Sequence, residues 1–533
     1  MNSSPRLSTL TWGAEMGRQA TAKSPSRRRP ASTRSAEAAA SPVSDTKTRV
    51  SKTAKKPTEK SSATARGSAT ARGSATAKGS AAAKKTVPKK SAATTAKRSR
   101  KRTTSAHSSQ TTQARNQPRA GTGRAMLSTV RREFARVSAY PLTTYYLILV
   151  SVLALTCLGL VMVLSASSIT SYDGGEGSSF AYFNKQAGFV AMGIVLMTVA
   201  TVVPLHWWHR LAWPALGLGV LLQVAVFVPG IGKATKGNAN WIQFGSFQLQ
   251  PSEFLKIALA VWLGYVLASK HGKMTTFAHA MIPVVPGIVI ALGLVIGGND
   301  LGTGLVLMAM ALACLFIGFF PWKYFFLLFG ALAVVAASFV FSSENRLRRI
   351  TAALTGHVDQ TASDVTGQAW QSNHGLFSLA SGGWLGVGLG ASREKWSWLP
   401  EAHNDFIFAI IGEELGLLGS LAVILMFAAL ACGLVRVILR SKSRFIQIAT
   451  AGLFAWLIGQ AAINICVVTG LLPVIGLPLP FVSYGGSSIV ASLLAVGVIL
   501  SFARTEDGAS AAIKVHKDRV RSSFAVLARK RKK

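Results

Sequence analysis

The feature that most constrains this chain is a series of long apolar segments between residues 141 and 503. Leu, Val, Ala, Ile, Gly and Phe dominate them, and they hold far more apolar surface than one water-soluble core needs. The segments lie at about 145–166, 187–203, 211–228, 254–268, 278–297, 303–320, 324–341, 406–436, 445–469 and 486–503. We therefore predict an all-α polytopic membrane domain, residues 141–503, with about ten transmembrane helices.

The net charge of +38 is concentrated at the two ends of the chain. Residues 1–140 hold 31 basic and 5 acidic side chains, residues 504–533 hold 10 and 3, and the remainder is nearly balanced at 17 and 12. The first segment has almost no large apolar residues up to about Arg124, so we predict a disordered basic tail at 1–140 and a second basic tail at 504–533. We expect both tails to lie near anionic lipid, with no nucleic-acid partner; a docking arm for division proteins or a phosphorylation target remains open for the first.

Charges in the short loops predict the orientation. Cations recur at Arg210, Lys270, Lys273 and Lys323 and at the loop after residue 436, and they alternate with loops that hold fewer cations. The positive-inside rule then places both termini in the cytoplasm of a multi-pass cell-membrane protein. The outward loops are about 167–186, 229–253, 298–302, 342–405 and 470–485, of which 342–405, between helices seven and eight, is the longest.

Ionisable residues at the outward side are candidate functional groups, because charges are costly in a bilayer. Glu253 and Lys256 lie one helical turn apart at the mouth of the fourth helix, where a local ion pair is an equally good interpretation. Asp300, in GGNDLGT, is either a functional carboxylate or a cap for the next helix.

The densest group of charges lies in the segment from Ser392 to Gly416. Its candidate substrate-binding residues are Arg393, Lys395, Glu401 and His403. Asp405 follows directly, as a functional carboxylate or as the N-cap of the next helix. The two glutamates that follow within this helix, at positions 413 and 414, are better explained by structural pairing with polar groups of a neighbouring helix.

Other motifs fail. The nearest approach to a phosphate-binding G-x-x-x-x-G-K-[ST] loop is Gly232–Lys233, followed by Ala234, so an ATP-driven pump is not supported. The G-x-G-x-x-A match at Gly386 lacks a strand–turn–helix frame. The four cysteines lie inside apolar segments without metal-ligand spacing.

Four ordered segments resemble the signature segments of the SEDS family, which includes FtsW, RodA and SpoVE. They are NANWIQFGSFQLQPSEFLK (238–256), GGNDLGTG (297–304), LPEAHNDFIFAIIGEELG (399–416) and GLLPVIGLPLPFVSYGGSS (470–488). The PEAH sequence at 400–403 and the long basic tails resemble the FtsW branch of actinobacteria more than RodA. GGNDLGT departs from the frequent QPDLGT, and Asn404 replaces a common Thr, but no carboxylate is lost.

The resemblance implies a ten-helix SEDS fold and a glycosyltransferase that polymerises lipid II for septal wall synthesis in cell division, releasing undecaprenyl diphosphate. It implies a class B penicillin-binding protein (FtsI-like transpeptidase) and other divisome proteins as partners. The family's catalytic aspartate maps onto Asp405, and its fourth-helix pair onto Glu253 and Lys256. Asn240 and Trp241, in the first signature segment, are further candidates for substrate binding.

The chemistry agrees with this assignment. A diphosphate is a good leaving group once its charge is neutralised, so the reaction needs one base near the acceptor hydroxyl and cations near the phosphates. Asp405 is the predicted base; Arg393 and Lys395, with Arg346 or Arg349, are predicted cations, and a divalent ion (Mg²⁺ or Mn²⁺) stays open. Direct displacement inverts the anomeric centre.

Two rival functions remain open. A lipid II flippase should carry charges through the membrane midplane, where Glu413 and Glu414 are the chief candidates. A membrane scaffold that recruits division proteins through its tails is compatible with catalysis.

Overall fold

The computed structural model describes residues 142–172, 178–235, 238–245, 247–342, 368–396 and 398–509, and the single positions 344, 347, 350 and 512. The helices are α1 (Thr143–Ser171), α2 (Ala181–Val202), α3 (Leu205–Ala225), α4 (Pro251–Ser269), α5 (Phe277–Met281), α6 (Val284–Gly297), α7 (Leu301–Ile317), α8 (Trp322–Phe341), α9 (Gln368–Ser381), α10 (Ile407–Arg440), α11 (Arg444–Val468) and α12 (Gly486–Ala503). The strands are β1 (Gly232–Thr235), β2 (Asn238–Phe244) and β3 (Phe247–Leu249). The predicted tail at 1–140, most of the tail at 504–533, and Arg346 and Arg349 lie outside the described residues.

All ten predicted apolar segments coincide with helices. Among the described residues, seven helices are long and apolar enough to cross a membrane: α1, α2, α4, α8, α10, α11 and α12. Helices α6 and α7 are apolar but shorter, and α3 has 21 residues with Pro214 inside it. The fold is therefore that of a helical multi-pass membrane protein, and the number of ten spans stays a prediction.

Two local features differ from the sequence-based expectation. The predicted segment 278–297 consists of two helices, α5 and α6, because Pro283 lacks an N–H group and stands at the N-cap of α6. The predicted all-α fold also omits a small antiparallel sheet, ordered β1-β2-β3, between α3 and α4. Ile242 of β2 pairs with Gly232 and Leu249 and is fully buried, which anchors this sheet on the helices.

The interior of the bundle is formed by α4 and α12. Their most apolar windows are 78% and 83% buried, whereas that of α8 is 11% buried and lies at the periphery. Close packing depends on small residues, as is usual between membrane helices. At Gly497 of α12, for example, an added Cβ would lie 2.5 Å from the Met197 carbonyl oxygen of α2.

The helices alternate in direction, so functional groups from distant segments meet at one end of the bundle. Ser165, near the end of α1, donates to Glu414, near the start of α10, over 2.6 Å. Gln186, near the start of α2, donates to the Ser483 carbonyl between α11 and α12 over 3.2 Å. We name this the Asp405 end; the opposite end holds the start of α1 and the end of α12.

Candidate functional site

The backbone before α10 is fixed at three successive carbonyl groups. The Tyr484 N–H donates to the His403 oxygen (2.9 Å), the Ser483 hydroxyl donates to the Asn404 oxygen (2.7 Å), and the Asn464 amide donates to the Asp405 oxygen (2.7 Å). These donors come from α11 and from the segment between α11 and α12. Segments more than 50 residues apart in sequence therefore hold the Asp405 backbone in place.

The side chain of Asp405 is half-buried. The N-cap position of α10 is Phe406, one residue after Asp405. The Asp405 carboxylate faces Gly476, where an added Cβ would lie 3.6 Å from Oδ2. Asp405 therefore directly precedes the N-cap position, and its carboxylate lies beside a glycine in the neighbouring segment.

Aromatic rings lie next to this carboxylate segment. The ring centroid of His403 is 5.2 Å from that of Tyr182 and 5.7 Å from that of Tyr484, and the two tyrosine rings are 5.0 Å apart. Lys185 places its ammonium 5.9 Å from the centre of the Tyr182 ring. Aromatic faces attract cations, and His403 therefore lies in an aromatic cluster with two tyrosines that the sequence did not indicate.

Glu401 supports the same segment from within. Its carboxylate accepts a hydrogen bond from the Asn404 side-chain amide, and its carbonyl accepts from the Asn404 N–H over 2.9 Å. Glu401 adopts φ 57°, a left-handed conformation that is uncommon for a residue with a Cβ. These contacts give Glu401 a part in shaping the turn before Asp405.

Glu253 and Lys256 form a buried ion pair. Their side-chain atoms are 2.8 Å apart and almost fully enclosed. The Lys256 ammonium also lies 4.3 Å from the Trp456 ring centre and donates to Gln460 Oε1 over 3.3 Å. Within the described residues, the second carboxylate oxygen of Glu253 is buried and has no hydrogen-bond partner. The local ion-pair interpretation is confirmed, and the pair lies inside the protein.

Two amides on α11 link this ion pair to Asp405. Gln460 accepts from Lys256 and donates to the Pro478 carbonyl over 2.8 Å. Asn464, one turn later, donates to the carbonyls of Leu477 and Asp405, both over 2.7 Å. We call Gln460 and Asn464 the amide ladder. Because the two amides bind the adjacent carbonyls of Leu477 and Pro478, the amide ladder connects Lys256 to the Asp405 segment through the backbone at 477–478.

The capping interpretation of Asp300 is confirmed. Its carboxylate accepts from the Thr303 N–H (2.9 Å) and hydroxyl (2.8 Å) at the start of α7, and from the Gln250 amide (3.2 Å). Its position is set by the helix start, because the first N–H groups of a helix need external acceptors. Asp300 therefore joins the start of α7 to the residue that precedes α4.

Asn240 and Trp241 lie on β2. Asn240 is 1% exposed, and its Oδ1 accepts a hydrogen bond from the Gln223 amide over 3.3 Å. It packs closely against Gly298, since a Cβ added to that glycine would lie 2.1 Å from the Asn240 Oδ1. Trp241 is half-buried and pairs with Lys233 in the sheet. Asn240 therefore joins the sheet to α3 and to the turn after α6, while Trp241 keeps part of its surface accessible.

The expected pairing of Glu413 and Glu414 is confirmed. Glu413 accepts from the hydroxyls of Ser378 on α9 (2.9 Å) and Ser392 (2.6 Å) and from the Arg393 N–H (2.8 Å). Glu414 accepts from Ser165 of α1, as noted above. Both glutamates are almost completely buried, and their carboxylates anchor the chain segment that leads to Asp405.

Lys395 forms an ion pair with Glu414 that the sequence did not predict. Its ammonium lies 3.1 Å from Glu414 Oε1, and the two side chains are 4% and 0% exposed. It also donates to the Gly390 carbonyl over 2.7 Å. We therefore remove Lys395 from the cations expected to hold phosphate, because its charge is used in a buried pair; the Arg393 side chain is exposed.

Sequence reasoning missed the amide ladder, Ser483, Tyr182 and Lys185. A signal existed for Gln460 and Asn464, since amides four residues apart in an apolar helix are expected to have partners. Among the described residues, no group of three or more His, Cys, Asp or Glu side chains could hold a metal ion, and we assign no metal site.

The fold and these contacts define a helical multi-pass membrane protein that holds a carboxylate at one end of its bundle through a buried polar network. Residues 145–508 match the model of the cell cycle protein family that comprises FtsW, RodA and SpoVE. The chain belongs to this family.

Relatives and solved structures agree with that membership. A probable peptidoglycan glycosyltransferase FtsW of Mycobacterium tuberculosis is 37% identical over 388 residues, which cover 73% of each chain. The probable peptidoglycan glycosyltransferase FtsW of Trichlorobacter lovleyi is 36% identical over 381 residues, 70% of this chain and 96% of that one. A chain of a peptidoglycan synthase complex has a TM-score of 0.55 at 23% identity, covering 67% of this chain and 96% of that one. The rod shape determining protein RodA of Thermus thermophilus has a TM-score of 0.50 at 23% identity, covering 68% and 97%. The two structures support the SEDS fold.

Proposed function

We propose that this chain is a peptidoglycan glycosyltransferase that polymerises lipid II into glycan strands, with Asp405 as the catalytic base. The observation that carries the proposal is the fixed position of Asp405: the carbonyls of His403, Asn404 and Asp405 are held by the segment between α11 and α12 and by α11. Family membership and the similarity to probable peptidoglycan glycosyltransferases of the FtsW type support the same activity.

The reaction needs one proton acceptor and a stabilised leaving group. The acceptor hydroxyl attacks the anomeric carbon of the donor while its proton passes to the Asp405 carboxylate. The bond from the anomeric carbon to the diphosphate oxygen breaks, and undecaprenyl diphosphate leaves with the electron pair. Because attack and departure occur on opposite faces, the α-linked donor becomes a β-linked strand.

The surrounding residues have separate proposed roles. Tyr182, His403 and Tyr484 offer ring faces to the sugars, and Trp241 offers a further contact on the sheet. The exposed side chain of Arg393 is the proposed cation for the diphosphate. Lys185, at the Tyr182 ring, adds a second positive charge at this end.

Other residues act through position. Glu253 and Lys256 are almost fully buried, so we propose that they support the amide ladder and do not touch the reacting atoms. Asp300 and Asn240 order the start of α7 and the sheet, and Glu401 shapes the turn before Asp405.

The cellular setting follows from the resemblance and from charge. We propose that both termini lie in the cytoplasm, that the Asp405 end faces outward, and that the protein works at the division septum. A class B penicillin-binding protein and other divisome proteins are its proposed partners. A divalent cation remains a possible further carrier of positive charge at the diphosphate.

The flippase alternative loses its main candidates. A polar path through the membrane would need ionisable groups open to a passing headgroup. Glu413 and Glu414 instead have partners from α1, α9 and the segment before α10, and both are almost fully buried.

Asp405→Asn tests the proposal, because it keeps the shape and the backbone contacts but removes the base. We expect lipid II polymerisation by the protein purified with its transpeptidase partner to fall by about 10²- to 10⁴-fold. The matched control is Asp507→Asn, since Asp507 is 77% exposed and pairs with Lys442 after α12. Strand length and amount on gels are the readout. Unchanged polymerisation by Asp405→Asn would refute the base; lipid II translocation without polymerase activity by the unaltered protein would favour the flippase.

A further inference from the structure

Two cavities lie side by side at the end of the bundle opposite Asp405. The first, of about 370 Å³, lies between the α7–α8 turn and the α10–α11 turn. Its walls are mostly aromatic and aliphatic, including Phe316, Phe319, Trp322 and Leu439. These four side chains are 55%, 63%, 60% and 75% exposed, so this aromatic cavity opens toward the surroundings of the bundle.

The second cavity has a different chemical character. It measures about 280 Å³ and is lined by His209, Tyr265, Ser269 and Ser443, with Ala268 and Phe445. In this polar cavity, the His209 imidazole, the Tyr265 phenol and the Ser443 hydroxyl are able to donate hydrogen bonds, whereas the Ser269 hydroxyl already donates to the Tyr265 carbonyl over 2.7 Å. It would suit a small polar or anionic group.

Arg444 lines both cavities. It lies at the start of α11, with its guanidinium 4.9 Å from the Phe319 ring centre in the aromatic cavity. Its side chain also donates to Gln447 Oε1 over 3.0 Å. One cation therefore stands at the junction of an apolar space and a polar space.

Among the described residues, Arg444 has no carboxylate partner, unlike its neighbours in the α10–α11 turn. At the turn between α10 and α11, the Arg440 guanidinium lies 3.9 Å from the Glu506 carboxylate, and the Lys442 ammonium lies 2.7 Å from the Asp507 carboxylate. No carboxylate in the part of the chain that the structure describes forms an ion pair with Arg444. A cation that lines two cavities and has no counter-ion among the described residues is suited to bind an external anion.

We propose that this pair of cavities binds one anionic phospholipid, with its phosphate at Arg444 in the polar cavity and an acyl chain in the aromatic cavity. A basic pocket between membrane helices near one membrane surface is suited to anionic lipid headgroups. The guanidinium matches phosphate geometry, and the aromatic walls match a hydrocarbon chain. The site is at the end opposite the proposed catalytic base and does not depend on the proposed activity.

Native mass spectrometry of the purified protein tests the site. Delipidated protein is titrated with phosphatidylglycerol, phosphatidylcholine or water-soluble glycerol phosphate, and the retained adducts are counted. Arg444→Gln is the test variant. Arg210→Gln is the matched control, because Arg210 is also an exposed arginine over an aromatic ring, 5.7 Å from Trp207, and lines neither cavity.

We expect preferential retention of one phosphatidylglycerol, reduced roughly fivefold by Arg444→Gln and unchanged by Arg210→Gln. Leu439→Trp, which narrows the aromatic cavity and keeps the charge, should also reduce retention. Equal retention of phosphatidylcholine, equal losses in the two arginine variants, or equally tight binding of glycerol phosphate would each overturn the proposal. If Arg444→Gln does not fold, Arg444→Lys replaces it: a folded Lys variant should keep the preference for phosphatidylglycerol over phosphatidylcholine, and loss of that preference would count against a charge-based site.

Discussion

The amide of Asn464 holds two carbonyl groups, so its removal should release the Asp405 segment without touching the carboxylate. Asn464→Leu keeps a similar side-chain volume and removes both donors. Each hydrogen bond is 2.7 Å long, one to Asp405 and one to Leu477. Because a Leu side chain has no hydrogen-bond donor, the carbonyls of Asp405 and Leu477 both lose this partner in the variant.

The magnitude follows from the two lost bonds. A hydrogen bond contributes about 0.5–1.5 kcal/mol net, and a buried group left without a partner costs more. Together the two losses weaken the attachment of the segment by about 2–3 kcal/mol. Since each 1.4 kcal/mol is a tenfold change, the fraction of protein with Asp405 correctly placed falls by up to about 30- to 100-fold.

Initial rates of lipid II polymerisation at several substrate concentrations check this expectation. We expect kcat to fall within that range while KM changes little, because the substrate-binding rings and Arg393 are unaltered. The control is Thr450→Val on the same helix, whose buried hydroxyl has no hydrogen-bond partner among the described residues. A folded Asn464→Leu protein with wild-type kcat, or a loss equal to that of Thr450→Val, would refute the positioning role.

Two further predictions concern stability. Lys395→Met leaves Glu414 buried without its cation, so we expect a destabilisation of about 3–5 kcal/mol that lowers the melting temperature, and Lys395→Met/Glu414→Gln should recover much of the loss. Fluorescence-detected gel filtration after heating measures the melting temperature of each variant, and no recovery in the double variant would contradict the pairing. At the opposite end, burial raises the pKa of Glu506 above its ordinary 4.5, although a hydrogen bond from Thr144 and the charge of Arg440 act against the shift. A carboxyl with a raised folded-state pKa contributes stability below its unfolded pKa, and this stability is lost as the pH rises through the folded-state pKa. Glu506→Gln should therefore raise the melting temperature at pH 8 relative to wild type and lose that advantage near pH 4. An equal difference in melting temperature at both pH values would count against this prediction.

Much of the helix pattern could be predicted from sequence because each span needs its own apolar run. The Asp300 cap was also predictable, since the acceptor and the Thr303 N–H are three residues apart. The same holds for the Glu253–Lys256 pair, one turn apart on α4. In all these cases the interacting groups are close in sequence, so local spacing was enough.

The amide ladder could not be predicted in the same way. Asn464 lies 59 residues from Asp405, and Gln460 lies 204 residues from Lys256. Sequence indicates that an amide in an apolar helix needs a partner, but it does not name the partner. Lys395 shows the converse error, because its place in an outer loop suggested an open cation, whereas folding carries it into a buried pair with Glu414.

The break in α10 explains how buried carboxylates are compatible with a membrane span. At Gly416, φ is 69° and ψ is −167°, which interrupts the helix. The loop after α9 supplies the missing hydrogen bonds: the Val387 N–H donates to the Glu413 carbonyl over 2.9 Å, and the Gly388 N–H donates to the Glu414 carbonyl over 3.1 Å. The helix before the break is almost entirely buried in protein, and exposed leucines begin directly after it at Leu417.

The part of α10 beyond the break is long enough to cross the membrane alone. Roughly 24 residues from Leu417 to Arg440 extend for about 36 Å, more than the ~30 Å of hydrocarbon. Because this part is sufficient to span the hydrocarbon, we infer that Glu413, Glu414 and Lys395 lie near the membrane boundary and not at the midplane. The Glu413 carboxylate accepts hydrogen bonds from Ser378, Ser392 and the Arg393 N–H, and that of Glu414 is paired with Lys395, so these groups hold the loop that carries the proposed base Asp405.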